Sequence, residues 1–350
     1  MQGEDWLEID GAGGEGGGQL LRTAVALAAV CRRRIRVFNI RARRPRPGLA
    51  PQHLTAVRAV AEVCGARVDG LVPGSREIRF EPGEAQGGTY RFDVGTAGSV
   101  ALVLQALLPV AILSPQVFSF HLTGGTEVEH APPMGYVQHV LLNHLARMGA
   151  TVSLSVRRPG YYPRGGGEVE VEVRGGAALS ALRLREPGAL RRIRAFVEAA
   201  RLPGHVPGRM IAAAHEVLAP RLAVPFEPSV HVWREASALG AGGGLLLVAE
   251  CEHTRLAASA LARRGVPAEA LGRDAGLELL AALESGASVD VHAADQLPVY
   301  CALAAGESVF CAPQLSLHAQ TALWLIDRFL PLERREDAGA GRICLTLRRR

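Results

Sequence analysis

The chain has 350 residues, 48% apolar and 21% charged, a balance that suits a globular protein of two domains with a sizeable core. Its net charge of +5 is mild, and all 39 basic side chains are arginine. Without lysine, a P-loop lysine, a Schiff base and a lysyl-nucleotide intermediate are excluded. Phosphates must then be met by arginine forks, backbone N–H groups or a metal, and a covalent nucleotide adduct falls to histidine.

The N-terminus, "MQGEDWLEIDG", is acidic and lacks an apolar leader, which predicts a cytoplasmic protein. "IDGAGGEGGGQLLRTAVALA" (9–28) predicts a short strand, a glycine-rich turn and a helix. Gly11, Gly13 and Gly16 fit the dinucleotide fingerprint, but Glu15 inside the turn would repel a bare pyrophosphate. The acid expected about 20 residues later is also absent. The next strand ends in Asn39, Ile40 and Arg41, which leaves NADP chemistry as the last-ranked alternative. Glu15 fits better as a ligand for Mg²⁺ or Mn²⁺; a solvated glutamate in a turn is the plain alternative. Arg22 lies one helical turn further on.

"NIRARRPRPGLAPQHL" (39–54) places Arg41, Arg43, Arg44 and Arg46 among prolines and a glycine, a shaped loop suited to phosphate or to simple solvation. "PQHLTAVRAVAEVCGA" (51–66) is an amphipathic helix with Gly65 as its C-cap. "AGSVALVLQALLPVAIL" (97–113) is short for a membrane span, holds Gln105 and Pro109, and predicts a buried helix. A polar loop, "HLTGGTEVEHAPPMGY" (121–136), leads into the helix "GYVQHVLLNHLARMGA" (135–150) and the strand "TVSLSVRR". "CGARV" and "MGATV" mark equivalent points about 84 residues apart, an internal repeat. In "RPGYYPRGGGEVEVEV" (158–173) the alternation predicts a half-exposed strand, after a loop that either stacks on a base or packs two tyrosines.

Between 186 and 285 the character changes, which predicts a smaller inserted domain. Here "LLLVAECEH" (245–253) reads as a strand, "LAASALARRG" (256–265) and "AGLELLAALESG" (275–286) as helices, and "GAGGG" (240–244) as a hairpin or loop. In "VDVHAADQLPVYCALA" (289–304), Asp295 and Gln296 predict a helix cap or a buried network, and His292 stands beside them. "QLSLHAQTALWLIDRFLP" puts His318 in the first turn of an otherwise oily helix, and with "RICLTLRRR" it forms a third helix-then-strand copy. Six dispersed cysteines (Cys31, Cys64, Cys251, Cys301, Cys311 and Cys344) form no C-x-x-C pair and read as reduced core residues.

In order, "EGGGQLLRTA", "NIRARRPRPGLAPQHLTAV", "GTAGSVALVLQALLP", "LTGGTEVEHAPP", "PGYYPRGGGEV", "ADQL" and "LHAQTA" resemble the RNA 3′-terminal phosphate cyclase family over nearly the whole chain. The resemblance implies an α/β fold built from α+β repeats. A large domain of two-helix, four-strand units (1–185 and 286–350), similar to those of enolpyruvyl transferases, would carry a smaller α/β insertion (186–285). It implies that His318 attacks the α-phosphate of ATP, that AMP passes to an RNA 3′-phosphate as RNA(3′)pp(5′)A, and that the 2′-OH then closes a 2′,3′-cyclic phosphate. An apolar setting is expected to keep His318 neutral and to exclude water.

By the same resemblance, Gln105, Pro132, His292, Asp295 and Gln296 line the ATP site, with Pro132 against the adenine. Glu15 contacts Mg²⁺ or Mn²⁺, and Arg22, Arg41, Arg44 and Gln52 surround the phosphates. The family commonly has tyrosine where this chain has His292, a narrower ring for stacking. The implied partners are RNA 3′-phosphate ends and no membrane; a homodimer is compatible with this. Two alternatives stand beside this reading. Non-catalytic cyclase-like proteins of ribosome assembly lack the nucleophilic histidine, and enolpyruvyl transferases depend on lysines.

Overall fold

The computed structural model describes residues 6–339 and 341–350. Residues 1–5, which carry part of the reading of the N-terminus, lie outside the described residues. The first unit runs β1 (Leu7–Asp10), α1 (Gly18–Cys31), β2 (Ile35–Phe38), α2 (Pro51–Cys64), β3 (Arg67–Asp69) and β4 (Ile78–Glu81). Its sheet has the order β1-β2-β4-β3, with β1 parallel to β2 and the other pairs antiparallel.

The second unit repeats this topology. It comprises β5 (Gly88–Asp93), α3 (Val100–Leu113), β6 (Val117–Gly124), a helical stretch, β7 (Thr151–Arg158) and β8 (Gly167–Arg174), ordered β5-β6-β8-β7. The helical stretch is α4 (Met134–Tyr136), a π-helical turn (Val137–Leu141) and α5 (Leu142–Arg147). The two helix-to-strand junctions matched in the sequence end at Gly65 and Gly149, both with positive φ, where glycine closes the helix without a Cβ clash. The third unit begins at β9 (Arg183–Leu184) and resumes with α8 (Val291–Leu303), β14 (Glu307–Ala312), α9 (Leu317–Phe329), β15 (Leu332–Gly339) and β16 (Arg342–Arg349). Its sheet order is β15-β16-β14-β9, the same pattern.

One apolar core joins these units. At its centre is α3, buried on nearly all sides, packed against α1 and α2 and started by Ser99, whose side chain accepts from the Leu102 N–H. Among the described residues no helix is long and apolar enough to cross a membrane.

Between β9 and α8 lie β10 (Leu190–Ala200), α6 (His205–Leu218), β11 (Phe226–Val232), β12 (Gly242–Cys251), β13 (Arg255–Leu261) and α7 (Ala268–Glu284). They form a sheet β11-β10-β12-β13 with its own apolar cluster. Two expectations are corrected here. The segment read as a helix at 256–265 is mostly strand β13: Leu256 and Ala258 join the sheet's core while Ala257 faces Tyr136 and Val140. A short turn after β12 fixes the pairing, and tertiary contact overrides the helix preference of alanine. In "GAGGG", Gly242–Gly244 open strand β12 rather than a loop; a Cβ on Gly242 would strike the Tyr161 ring.

The cysteines also depart from expectation. Cys311 and Cys344 lie directly opposite on antiparallel β14 and β16 and form a disulfide, whereas Cys31, Cys64, Cys251 and Cys301 are free. In the tyrosine pair, Tyr161 is buried and Tyr162 is 78% exposed, so only the first packs.

Candidate functional site

A cleft of about 590 Å³ opens where the three units and the fourth sheet meet, within the usual range for small-ligand sites. At one end, Gln19 and Arg22 near the start of α1 and Ser316 and His318 at the start of α9 line the cleft together. Gly14 and Gly16 take positive φ and bend the loop back over α9. The Glu15 N–H donates to Thr321 Oγ1 at 3.0 Å, and Thr321 in turn donates to the Leu317 carbonyl at 2.6 Å. Glu15 is thereby held with its side chain only 5% exposed. Its Oε2 accepts from Arg44 Nη2 at 2.9 Å and lies 3.9 Å from His318 Nδ1.

His318 departs from the expected apolar setting. Its side chain is 51% exposed and lines the cleft, while Ala319, Ala322, Leu323 and Ile326 turn to the core. The helix is amphipathic, and the histidine sits on its polar margin. Ser316 caps α9 by accepting from the His318 and Ala319 N–H groups, and its hydroxyl donates to Asp295 Oδ1 on α8. Burial raises the Asp295 carboxyl, and the Ser316 bond opposes that rise.

Gln296 belongs to a buried network, one of the two roles expected, whereas the half-buried Asp295 carboxylate stays with Ser316. Arg22 Nη2 donates to Gln105 Oε1 at 3.4 Å, Gln105 Nε2 donates to Gln296 Oε1 at 3.0 Å, and Gln296 Nε2 donates to the His292 carbonyl at 3.0 Å. Because a guanidinium only donates, this chain fixes both amide orientations. Burial draws the Arg22 guanidinium down to about 10, against the pull of Glu15, so it stays charged at neutral pH.

At the other end stand Pro132, His130, Tyr136, Leu261 and Glu278 around His292. His292 Nε2 meets Glu278 Oε1 at 3.3 Å, and its ring lies at right angles to Tyr136, centroids 6.0 Å apart. Tyr136 donates to Asp290, the N-cap of α8.

Arg41 and Gln52, expected around the phosphates, do not line the cleft. Arg41 donates to the Gly48 carbonyl at 2.8 Å and holds the arginine loop; Gln52 accepts from the Ser99 N–H at 3.1 Å and steadies the start of α3. Arg43 and Arg46 are exposed.

Sequence reasoning missed Gln19, His53, Ser316 and Glu278. Ser316, a hydroxyl residue at the head of an amphipathic run, carried a cap signal; the others carried none. His53 is buried beside Gly18 and Arg22, and burial with the Arg22, Arg41 and Arg44 charges lowers its imidazole to about 3.

Four buried polar atoms here lack a hydrogen-bond partner: Glu15 Oε1, Gln19 Oε1, Arg22 Nε and His53 Nδ1. They are half of the eight found among the described residues, a concentration that marks a site built for a polar ligand. Two helix N-termini, Arg22 and Arg44 suit phosphate. Among the described residues no group of three or more His, Cys, Asp or Glu side chains could cage a metal. The unpaired Glu15 oxygen fits a Mg²⁺-type ion shared with substrate phosphates, which needs only one or two carboxylates.

Comparison with known proteins points the same way. The family profile described as RNA 3′-terminal phosphate cyclase matches residues 13–335. A protein of that name from Nitrosospira multiformis is 50% identical over 327 residues, covering 93% of this chain and 92% of the relative. Another from Methanopyrus kandleri is 43% identical, covering 93% and 94%. A third, from Hyperthermus butylicus, is 43% identical, covering 96% and 95%.

Proposed function

Because the chain belongs to the RNA 3′-terminal phosphate cyclase family, we propose that it converts RNA 3′-phosphate ends to 2′,3′-cyclic phosphates with ATP, through a histidine–AMP intermediate. The observation that carries this reading is His318, at the head of α9, exposed to a cleft that Pro132, Tyr136 and His292 also line. Residues 186–285 are read as an inserted domain, on a large domain resembling those of enolpyruvyl transferases.

In the first step, His318 Nε2 attacks the α-phosphate. An N–P bond forms, the P–O bond to the β-phosphate breaks, and pyrophosphate leaves. The Nδ1–H stays on the ring, and the positive charge that develops there faces Glu15 Oε2, 3.9 Å away. A neutral imidazole is nucleophilic without a separate base, so the residues around it chiefly position groups and neutralise charge. Arg22 and Arg44 meet the phosphates; Arg41 and Gln52 hold the loop and helix that present them. Gln105, Asp295 and Gln296 line the nucleotide's middle, with Pro132 and His292 at the base. A divalent cation at Glu15 would neutralise phosphate oxygens.

In the second step an oxygen of the RNA 3′-phosphate attacks the histidine-bound phosphorus, and the imidazole leaves. In the third the neighbouring 2′-OH attacks the activated phosphate, AMP leaves, and a five-membered ring closes. The site is read as cytoplasmic, and the oligomeric state as compatible with a homodimer.

The test uses α-labelled ATP with Mg²⁺ and a 3′-phosphorylated RNA. The protein should retain acid-labile, alkali-stable AMP, and the RNA end should become resistant to phosphatase. A terminal 2′-deoxy sugar should stop at RNA(3′)pp(5′)A. Label that survives His318→Ala would sink the assignment, since no lysine can replace it.

A further inference from the structure

One charged group in the cleft, Glu278, has no role in the steps above, and it pairs with His292. Glu278 lies on α7, beyond the fourth sheet, and His292 lies in the first turn of α8, so the pair joins two separately packed elements across the cleft wall. Their side chains are 51% and 49% exposed, so both remain open to a ligand.

We propose that Glu278 is a positioning residue for nucleotide: its ion pair with His292 holds the imidazole as a charged ring wall of the cleft that Pro132 also lines, so that the base is gripped by a cation–π face instead of a neutral ring. This deepens the reading of the cleft as a nucleotide site and rests on it. The geometry supplies each part. The Nε2–Oε1 contact of 3.3 Å fixes the ring from one side, and Tyr136, perpendicular to it, fixes it from another. Tyr136 is itself anchored by its hydroxyl to Asp290. Pro132 and Leu261 supply apolar surface around the same space. A cationic ring favours an extended π system, which a purine offers.

The surrounding charges keep the ring protonated. Glu278 faces it from α7, Asp290 and Asp295 from α8, and Tyr136 from α4; His130, Arg22 and His318 line the remainder of the cleft. The Glu278 bond is the largest influence and lifts His292 to about 9. Since the protonated ring binds better, affinity is full below that value and is lost as pH rises through it.

The experiment is equilibrium binding of α,β-methylene-ATP, whose α–β bridge cannot release pyrophosphate, with Mg²⁺ from pH 7.5 to 9.5. Wild-type affinity should fall about two- to threefold across that range, because about a quarter of the rings are still protonated at pH 9.5 and a half-exposed cation–π contact is worth about fivefold in all. Glu278→Gln should bind about fivefold more weakly than wild type at pH 7.5, with a flat profile above it. His292→Tyr should bind within about twofold of wild type, because its larger ring restores the stacking area, and should show no pH dependence. Adding Glu278→Gln to His292→Tyr should change nothing further. Wild-type affinity in Glu278→Gln, or an equal loss in the His292→Tyr background, would overturn the clamp while leaving the nucleotide site intact. Folded wild-type protein that binds no nucleotide would overturn the site reading, and the clamp with it.

Discussion

Replacing Asp290 by alanine should loosen the seam that carries half of the cleft. The carboxylate is buried and accepts three hydrogen bonds: from Tyr136 Oη at 2.6 Å, from the Ala293 N–H at 2.8 Å and from the Ala257 N–H at 3.0 Å. Ala257 sits on β13, the outer strand of its sheet, so this N–H turns away from the ladder and finds no strand partner. Losing the α8 cap costs about 1 kcal/mol. The Ala257 and Tyr136 donors, stripped in a buried setting, cost about 1–3 kcal/mol each. Burial raises the Asp290 carboxyl, so its removal also relieves a desolvation cost that places the net loss at the low end of that sum. The net expectation is a loss of about 3 kcal/mol in urea unfolding followed by tryptophan fluorescence, with Trp324 reporting on α9 and Trp233 on the fourth sheet. Asp290→Asn keeps the cap and loses about one bond, so it should cost about 1 kcal/mol. If alanine and asparagine cost the same, or alanine costs under about 1 kcal/mol, the three bonds do not hold the seam.

Glu15→Gln should raise the Mg²⁺ concentration needed for half-maximal protein labelling by about tenfold, the effect of roughly 1.4 kcal/mol; an unchanged Mg²⁺ titration would remove the metal role. Gly18→Ala places a methyl against His53 Nε2 and Arg22 Nη1, and should cost about 1–3 kcal/mol in stability together with labelling; a variant as stable and as readily labelled as wild type would refute the close approach. Glu127 is raised well above the usual carboxylate range, first by burial and then by Glu198. The folded state therefore holds a proton that the unfolded state gives up, and stability should decline as pH rises from the usual range toward the raised value. Glu127→Gln should flatten that decline in unfolding midpoints measured at several pH values, and parallel profiles would contradict it.

Much of this architecture is written locally. The helix ending at Gly65 and the one ending near Gly149 share period, cap and following strand, so the repeat is visible without any contact being known. The segment at 256–265 shows the opposite case. Its alanines fit a helix, and its strand state follows from pairing with β12, which no local pattern encodes. The Cys311–Cys344 pairing is a matter of register between strands 33 residues apart, equally silent in the spacing. At the site, Glu15, Arg22 and His318 stood out by their chemistry. The exposure of His318 did not, because a histidine on the polar margin of an oily helix reads like one on its buried face. Glu278 and His53 were hidden for a simpler reason: each gains meaning from neighbours on other elements.

The bond between the Glu15 N–H and Thr321 spans 306 residues. During synthesis, the glycine-rich loop is made long before the helix that props it, and β9 waits through the whole fourth sheet for its partner β14. Contacts of such separation close late, since the entropy of long loops must be overcome before they form. A chain still on the ribosome therefore has its arginine loop but neither the Thr321 prop nor the histidine proposed to carry AMP. Adenylylation competence would arrive last, as a certificate that all the units have docked, and a chain that stalls before α9 has nothing with which to capture nucleotide.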